Sequence, residues 1–280
     1  MQIRQADASG RKMNIPIEEI HIESGSMRFF RFGTGTKTLV ILPGLSVQSV
    51  MLSASAVAEE YGIMKDDFTV YVFDRRTDLP PVYSIREMAS DTFSAMSSLG
   101  LQSTCLFGAS QGGMIAMVLA VEHPGLIHRL VLGSSSPCVD ASCFSVIREW
   151  IRLAEAGDRE ALYLSFGRRL YPPHVFRQLR DGLISVARTV SEEDLQRFII
   201  LAAGTEHFDI TDRLDEIRCP VLAIGASDDA VLGPDAISVL TEKLRDNPGF
   251  QSYVYSGYGH ASFDTAPDYQ ERLFRFFTGD

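Results

Sequence analysis

The sequence predicts an α/β fold: a mostly parallel, eight-stranded twisted sheet with helices on both faces. Three observations carry that reading. Short apolar runs alternate with amphipathic segments at both ends of the chain, the pattern of strands separated by crossover helices. One apolar run ends in Gly108-Ala109-Ser110-Gln111-Gly112 directly before a helical segment. Between residues 137 and 209 the alternation lapses and four helical segments follow one another.

Taken in order, residues 17–22 and 27–32 read as strands joined by a hairpin turn at Ser24-Gly25-Ser26. Residues 38–42 form the third strand, followed by a loop at Pro43-Gly44-Leu45-Ser46, a helical stretch over 50–61 and a strand over 69–73. Residues 84–99 are helical, with Ser84 and Glu87 spaced as a capping box and Gly100 past the last apolar position. Residues 104–107 form the strand feeding the turn at Ser110, 111–122 its helix, stopped before Pro124, and 129–132 the sixth strand. Helices are then expected over 144–156, 159–170, 175–186 and 192–203, the last capped within Ser191-Glu192-Glu193-Asp194. The sheet pattern resumes with a strand over 220–225, a helix over 234–245, a strand over 251–255 and a closing helix over 267–277. The chain thus divides into a core of residues 1–136 and 210–280 and an all-helical lid of residues 137–209 inserted after the sixth strand, over the carboxyl ends where open sheets bind ligands.

Composition narrows the function classes. With 36 acidic against 26 basic residues and a net charge of −10, no Lys/Arg cluster offers a footprint for phosphate backbones or anionic membranes. Nucleic acid and membrane are not expected partners; a small-molecule substrate is. The stretch Met1 to Asp7 lacks an apolar leader core, and the longest apolar stretch, from Met114 to Val121, is too short to span a bilayer. A cytoplasmic protein is expected, and self-association as a homodimer stays open. Cys105, Cys138, Cys143 and Cys219 show no metal-ligand spacing, nor do the six histidines. No metal and no cofactor are expected, Cys105 and Cys219 should be buried free thiols, and a Cys138–Cys143 bridge is disfavoured.

Ser110 carries the chemistry. A serine on a tight strand-to-helix turn needs small flanking residues, and Gly108, Ala109, Gly112 and Gly113 provide them. Its hydroxyl needs a base, and the base needs a third group to hold its tautomer. His260, in Gly257-Tyr258-Gly259-His260-Ala261 after the last strand, supplies the base. Asp228, just past the strand over 220–225, supplies the acid, with Asp229 as its direct competitor. The order Ser, Asp, His is that of serine hydrolases built on such sheets. Backbone N–H groups of Leu45 and Gln111 would receive the oxyanion, so the side chains at these two positions are expected to matter little. Gly44, Ser46, Trp150, Phe166, Tyr171 and Ala261 are the candidate pocket residues, and the other lid aromatics, such as Phe144 and Tyr163, are mostly lid core.

On these residues the chain resembles a capped member of the α/β-hydrolase superfamily, in the esterase, lactonase and C–C hydrolase neighbourhood. The resemblance covers nearly the whole chain. It extends to residues 208–222, similar to the segment leading from lid to sheet, and to Asp74-Arg75, similar to a post-strand turn and expected to be structural. The sequence departs from the family where His-Gly is common in the oxyanion loop: Pro43-Gly44 stands here, and proline donates no N–H.

The resemblance and the motif together imply a cofactor-independent serine hydrolase acting on an uncharged, hydrophobic ester, lactone or thioester. C–C bond hydrolysis, perhydrolysis and aminopeptidase activity use the same residues, the last requiring Glu149, Glu155 or Glu206 to face the pocket. A slow small-molecule sensor of the same fold is the reading from a different class.

Overall fold

The computed structural model describes residues 14–233 and 235–279. Met1 to Asp7, read above for a leader, and Pro234, read as the start of a helix, lie outside the described residues. Eight strands form one sheet: β1 (Ile17–Ile22), β2 (Gly25–Phe32), β3 (Lys37–Leu42), β4 (Phe68–Arg76), β5 (Thr104–Ala109), β6 (Ile127–Gly133), β7 (Val221–Ala226) and β8 (Phe250–Tyr255). Their spatial order is β1-β2-β4-β3-β5-β6-β7-β8. The β1–β2 and β2–β4 pairs are antiparallel and all others parallel.

The order reverses between β3, whose successor β4 lies on one side, and β5, which lies on the other. At such a switch point the loops leaving adjacent strands part and open a crevice at their carboxyl ends. The loop at Pro43 and the turn at Ser110 are those two loops.

Helices cover both faces, as the continuous burial of the central strands β5 and β7 requires. Val40 and Leu42 of β3 pack into one apolar cluster, while Leu39 and Ile41 pack into the other. The first cluster takes in α2 (Ile85–Ser98), α3 (Gln111–Glu122) and α8 (Ala236–Leu244); the second takes in α1 (Ala54–Glu60) and α10 (Tyr269–Thr278). The short α9 (Ser262–Thr265) precedes α10. Eleven of the twelve residues of α3 are buried, so it is apolar around its whole circumference, as a helix under a second layer must be. The capping box at Ser84 and Glu87 forms as expected.

Four helices fall between β6 and β7: α4 (Ala141–Glu155), α5 (Arg159–Leu170), α6 (Pro173–Ala187) and α7 (Glu192–Ala203). Asp140 caps α4 through the N–H groups of Ser142 and Cys143, and Ser191 with Asp194 forms a capping box on α7. The entering and leaving chains pair at the neck, where Val139 donates to the Phe208 carbonyl and Ile210 to that of Pro137 (both 2.9 Å). Phe144, Trp150, Leu162 and Phe198 of these helices belong to the same apolar cluster as α2 and α3. The insertion therefore shares its core with one face of the sheet.

All four cysteines are free thiols, three of them buried; burial pushes those of Cys105 and Cys219 up to about 11. No helix among the described residues is long and apolar enough to cross a membrane.

Candidate active site

Ser110 stands between the end of β5 and the start of α3 with φ 51° and ψ −118°. That region is costly for a residue bearing Cβ and persists only where the surroundings hold it. Here the Ser110 N–H donates to the Gly133 carbonyl (2.8 Å), and the Ser135 hydroxyl donates to the Ser110 carbonyl (2.9 Å). A Cβ at Gly112 would lie 2.0 Å from the Leu42 carbonyl oxygen. Only glycine lets α3 begin so close to the end of β3.

The Ser110 hydroxyl lies 2.9 Å from Nε2 of His260. The imidazole is buried, and its Nδ1 lies 2.8 Å from Oδ2 of Asp229. Asp229 thus replaces Asp228 as the carboxylate on the histidine. Past β7 the chain keeps running beside β8: Ser227 donates to the Tyr255 carbonyl and Asp228 to that of Tyr258 (both 2.9 Å). This leaves the Asp228 side chain exposed, bonded to the Ser227 hydroxyl (2.6 Å). The chain turns inward one residue later. Asp229 is buried there, with Oδ1 accepting from the N–H groups of Val231 (2.8 Å) and Leu232 (2.9 Å).

Burial alone would raise the Asp229 carboxyl. The His260 ring beside it and the two N–H donors more than offset that, and hold it below its ordinary value. The carboxylate is therefore ionised at neutral pH and fixes Nδ1 as the protonated nitrogen, leaving Nε2 as the acceptor facing Ser110.

The loop after β3 closes over the serine: a Cβ at Gly44 would lie 3.2 Å from that of Ser110 and 3.8 Å from its hydroxyl oxygen. Leu45 follows, and Gln111 opens α3, whose first N–H groups have no acceptor within the helix. Both residues line the same cavity as Ser110. The Gln111 side chain is not idle, contrary to the sequence expectation. Its Oε1 accepts from Nη2 of Arg75 (3.0 Å), and its Nε2 donates to the Leu201 carbonyl of α7 (2.7 Å).

The cavity holds about 200 Å³. Of the candidate pocket residues, Gly44, Ser46, Trp150, Phe166 and Ala261 line it; Tyr171 does not. Tyr171 leaves α5 in extended conformation, is buried, and spends its hydroxyl on Oδ2 of Asp264 (3.2 Å). Leu170, one residue earlier, faces the cavity instead, and its carbonyl accepts the Ala261 N–H (3.0 Å). That contact ties the end of α5 to the histidine loop. Ile41, Val57, Met114, Ile147 and Leu232 make the wall mainly apolar, with Glu60 and Asp264 as its only carboxylates among the described residues.

Sequence reasoning missed Asp74 and Arg75 as parts of this site. They form no turn: β4 continues through both, and both are buried. Asp74 pairs with Arg197 of α7 and accepts from the Ser49 hydroxyl. Arg75 donates through Nη2 to the Pro43 carbonyl (2.7 Å) as well as to Gln111. The available signal was Pro43 itself, since the only backbone hydrogen-bonding group of a proline is its carbonyl.

A model of the alpha/beta hydrolase family matches residues 39–271. A relative named "Putative carbamate hydrolase RutD" from Agrobacterium fabrum is 30% identical over 228 residues, covering 76% of this chain and 84% of the relative. Its namesake from Escherichia coli O157:H7 is 27% identical over 230 residues, covering 77% and 83%. Among solved structures, MGS-M2, an alpha/beta hydrolase enzyme from a Medee basin deep-sea metagenome library, matches with TM-score 0.83 at 19% identity, covering 93% of this chain and 97% of that one. A thermophilic esterase from Thermogutta terrifontis matches with TM-score 0.75 at 22% identity, covering 94% and 98%. At these identities the structural likeness speaks for the fold. The sequence match extends over most of the sheet and the whole insertion, and on it the chain belongs to the alpha/beta hydrolase family.

Proposed function

We propose that this chain is a cofactor-independent serine hydrolase that cleaves an uncharged, hydrophobic ester, lactone or thioester through an acyl-enzyme. The observation that carries the reading is the unbroken chain from the Ser110 hydroxyl through His260 to Asp229, at 2.9 and 2.8 Å. The Ser110 oxygen attacks the acyl carbon while Nε2 of His260 takes its proton, and Asp229 stabilises the imidazolium that forms. The carbonyl oxygen, now anionic, rests on the N–H groups of Leu45 and Gln111. Collapse of the tetrahedral adduct breaks the bond to the leaving group, which takes the proton from His260. Water, deprotonated by the same nitrogen, then releases the acid and restores Ser110.

The apolar wall supports an uncharged acyl group, and Glu60 and Asp264 weigh against an anionic one. The lid carboxylates named for the aminopeptidase alternative do not serve it: Glu149, Glu155 and Glu206 are exposed and none lines the cavity. The name of the relatives adds a carbamate to the substrates worth testing.

The test is intact mass after treatment with a fluorophosphonate, followed by a panel of short and medium acyl esters, lactones, thioesters and a carbamate. One adduct per chain is expected, absent in Ser110→Ala and strongly slowed in His260→Ala. A wild-type protein that takes no label overturns the reading.

A further inference from the structure

We propose that Arg75 is a positioning residue that sets the oxyanion hole, holding both of its donors in register from behind. The inference rests on the hydrolase reading above for its catalytic consequence, but its geometry is independent of it. One nitrogen, Nη2, bonds to the Pro43 carbonyl at 2.7 Å and to the Gln111 side chain at 3.0 Å. The first bond fixes the loop two residues before the Leu45 N–H. The second fixes the first residue of α3, whose own N–H is the other donor.

Among the described residues, nothing else in that loop offers the same hold. Pro43 has no N–H with which to tether itself. The Ser46 hydroxyl turns to the Gln48 carbonyl within the loop (2.8 Å), and Gly44 contributes no side chain. A hole built from two backbone N–H groups on separate loops works only if both point at one oxygen, and displacement by about 1 Å can cost on the order of 100-fold in rate. Arg75 is the group that spans the two loops.

Its burial has the same meaning. A fully desolvated guanidinium is costly, and burial lowers its pKa to about 10, opposed by Asp74. It is charged at neutral pH nonetheless, and its Nε is buried without a partner among the described residues. Structural support for a strand end needs no such charge, whereas two acceptors that must be held at a fixed spacing are met by one rigid, planar donor. The Gln111 side chain continues the link to Leu201 of α7, so the inserted helices bear on the same assembly.

The test compares Arg75→Lys, Arg75→Met and Gln111→Leu with wild type. The Gln111 variant keeps the backbone N–H and the buried charge, and so serves if Arg75→Met fails to fold. On the best ester of the panel, kcat is expected to fall about 10- to 100-fold with KM changed by less than about threefold. Affinity for a trifluoromethyl ketone, which mimics the oxyanion, should fall in step with kcat/KM, and Arg75→Lys should keep part of both. Amide hydrogen exchange of residues 44–46 should rise in both Arg75 variants, and that of residues 111 and 112 in Gln111→Leu, while α10 stays protected. Faster exchange with no enzyme activity in the wild type would remove the hydrolase reading and leave the positioning role. Unchanged exchange at 44–46 in the Arg75 variants, or a rise in KM with kcat intact, overturns the proposal.

Discussion

Asp229 divides its two oxygens between two tasks, one on the Nδ1 of His260 and the other on the N–H groups of Val231 and Leu232. The sequence reading gave the histidine to Asp228, with Asp229 as its direct competitor. Spacing from the strand could not separate the two residues, because the deciding event is a backbone one: Asp228 is still bonded to the segment that follows β8, at Tyr258, and the inward turn starts after it. Ser110 and His260 were legible because their settings, a small-residue turn and a glycine-rich loop after the last strand, are written in adjacent residues. Two variants separate the carboxylates. Asp229→Asn leaves the ring without a charged partner and allows the wrong tautomer, so kcat should drop about 10³- to 10⁴-fold. Asp228→Asn changes an exposed side chain and should stay within about twofold, the equivalent of roughly 0.5 kcal/mol. Equal losses in the two, measured as kcat/KM on one ester, would refute the assignment.

At the scale of elements, β4 and α7 are joined more tightly than either sequence segment suggests. The resemblance to the superfamily implied a post-strand turn at Asp74-Arg75. Their charges are met by partners far along the chain, Arg197 for Asp74 and the Pro43 carbonyl and Gln111 side chain for Arg75, and so the strand continues. Long-range pairing of this kind leaves no local pattern. The helices themselves were legible, α5 and α7 to the residue, because Asp158 and Ser191 cap them and their apolar positions recur at helical spacing. The Asp74–Arg197 pair, with side chains 10% and 17% exposed, should act as a buried clasp between the sheet and the insertion. Breaking a buried pair costs roughly 3–5 kcal/mol when the remaining charge is stranded. Asp74 keeps Ser49 and the neighbouring Arg75, so Arg197→Met should cost about 2–3 kcal/mol in urea-induced unfolding. A loss below about 0.5 kcal/mol would put the pair with ordinary surface contacts.

For the molecule as a whole, the alternation of short elements foretold the layers, but not the strand order or the neck. Those depend on which strands meet, and pairing partners far apart in sequence carry no signature of each other. The shared apolar cluster, running from α2 and α3 through Phe144 and Phe198, makes the insertion part of the same cooperative unit, so acid should unfold sheet and insertion together. Several carboxyls lie below their ordinary values in the folded chain. Asp140 is held down first by the Cys143 N–H. In Asp229 and Asp268 burial pushes upward, but His260 for the one and Tyr255 and Arg272 for the other outweigh it. A group whose folded value is depressed adds stability that is complete above its unfolded value, here about 3.8, and that is lost as pH falls through the lower folded value. These groups therefore contribute no slope above about pH 5, where both states are ionised, and a steep one between about pH 4 and 3, where the unfolded chain takes up protons first. Each such proton is worth about 1.4 kcal/mol per pH unit at most. Urea unfolding of the wild type at pH 5, 4 and 3 should show a larger drop in the lower interval than in the upper. In Asp229→Asn the lower interval should be shallower by up to one proton's worth, with the transition still single. An identical slope in the two proteins would mean that the carboxyl of Asp229 titrates alike whether the chain is folded or not, and that the histidine is not holding its charge.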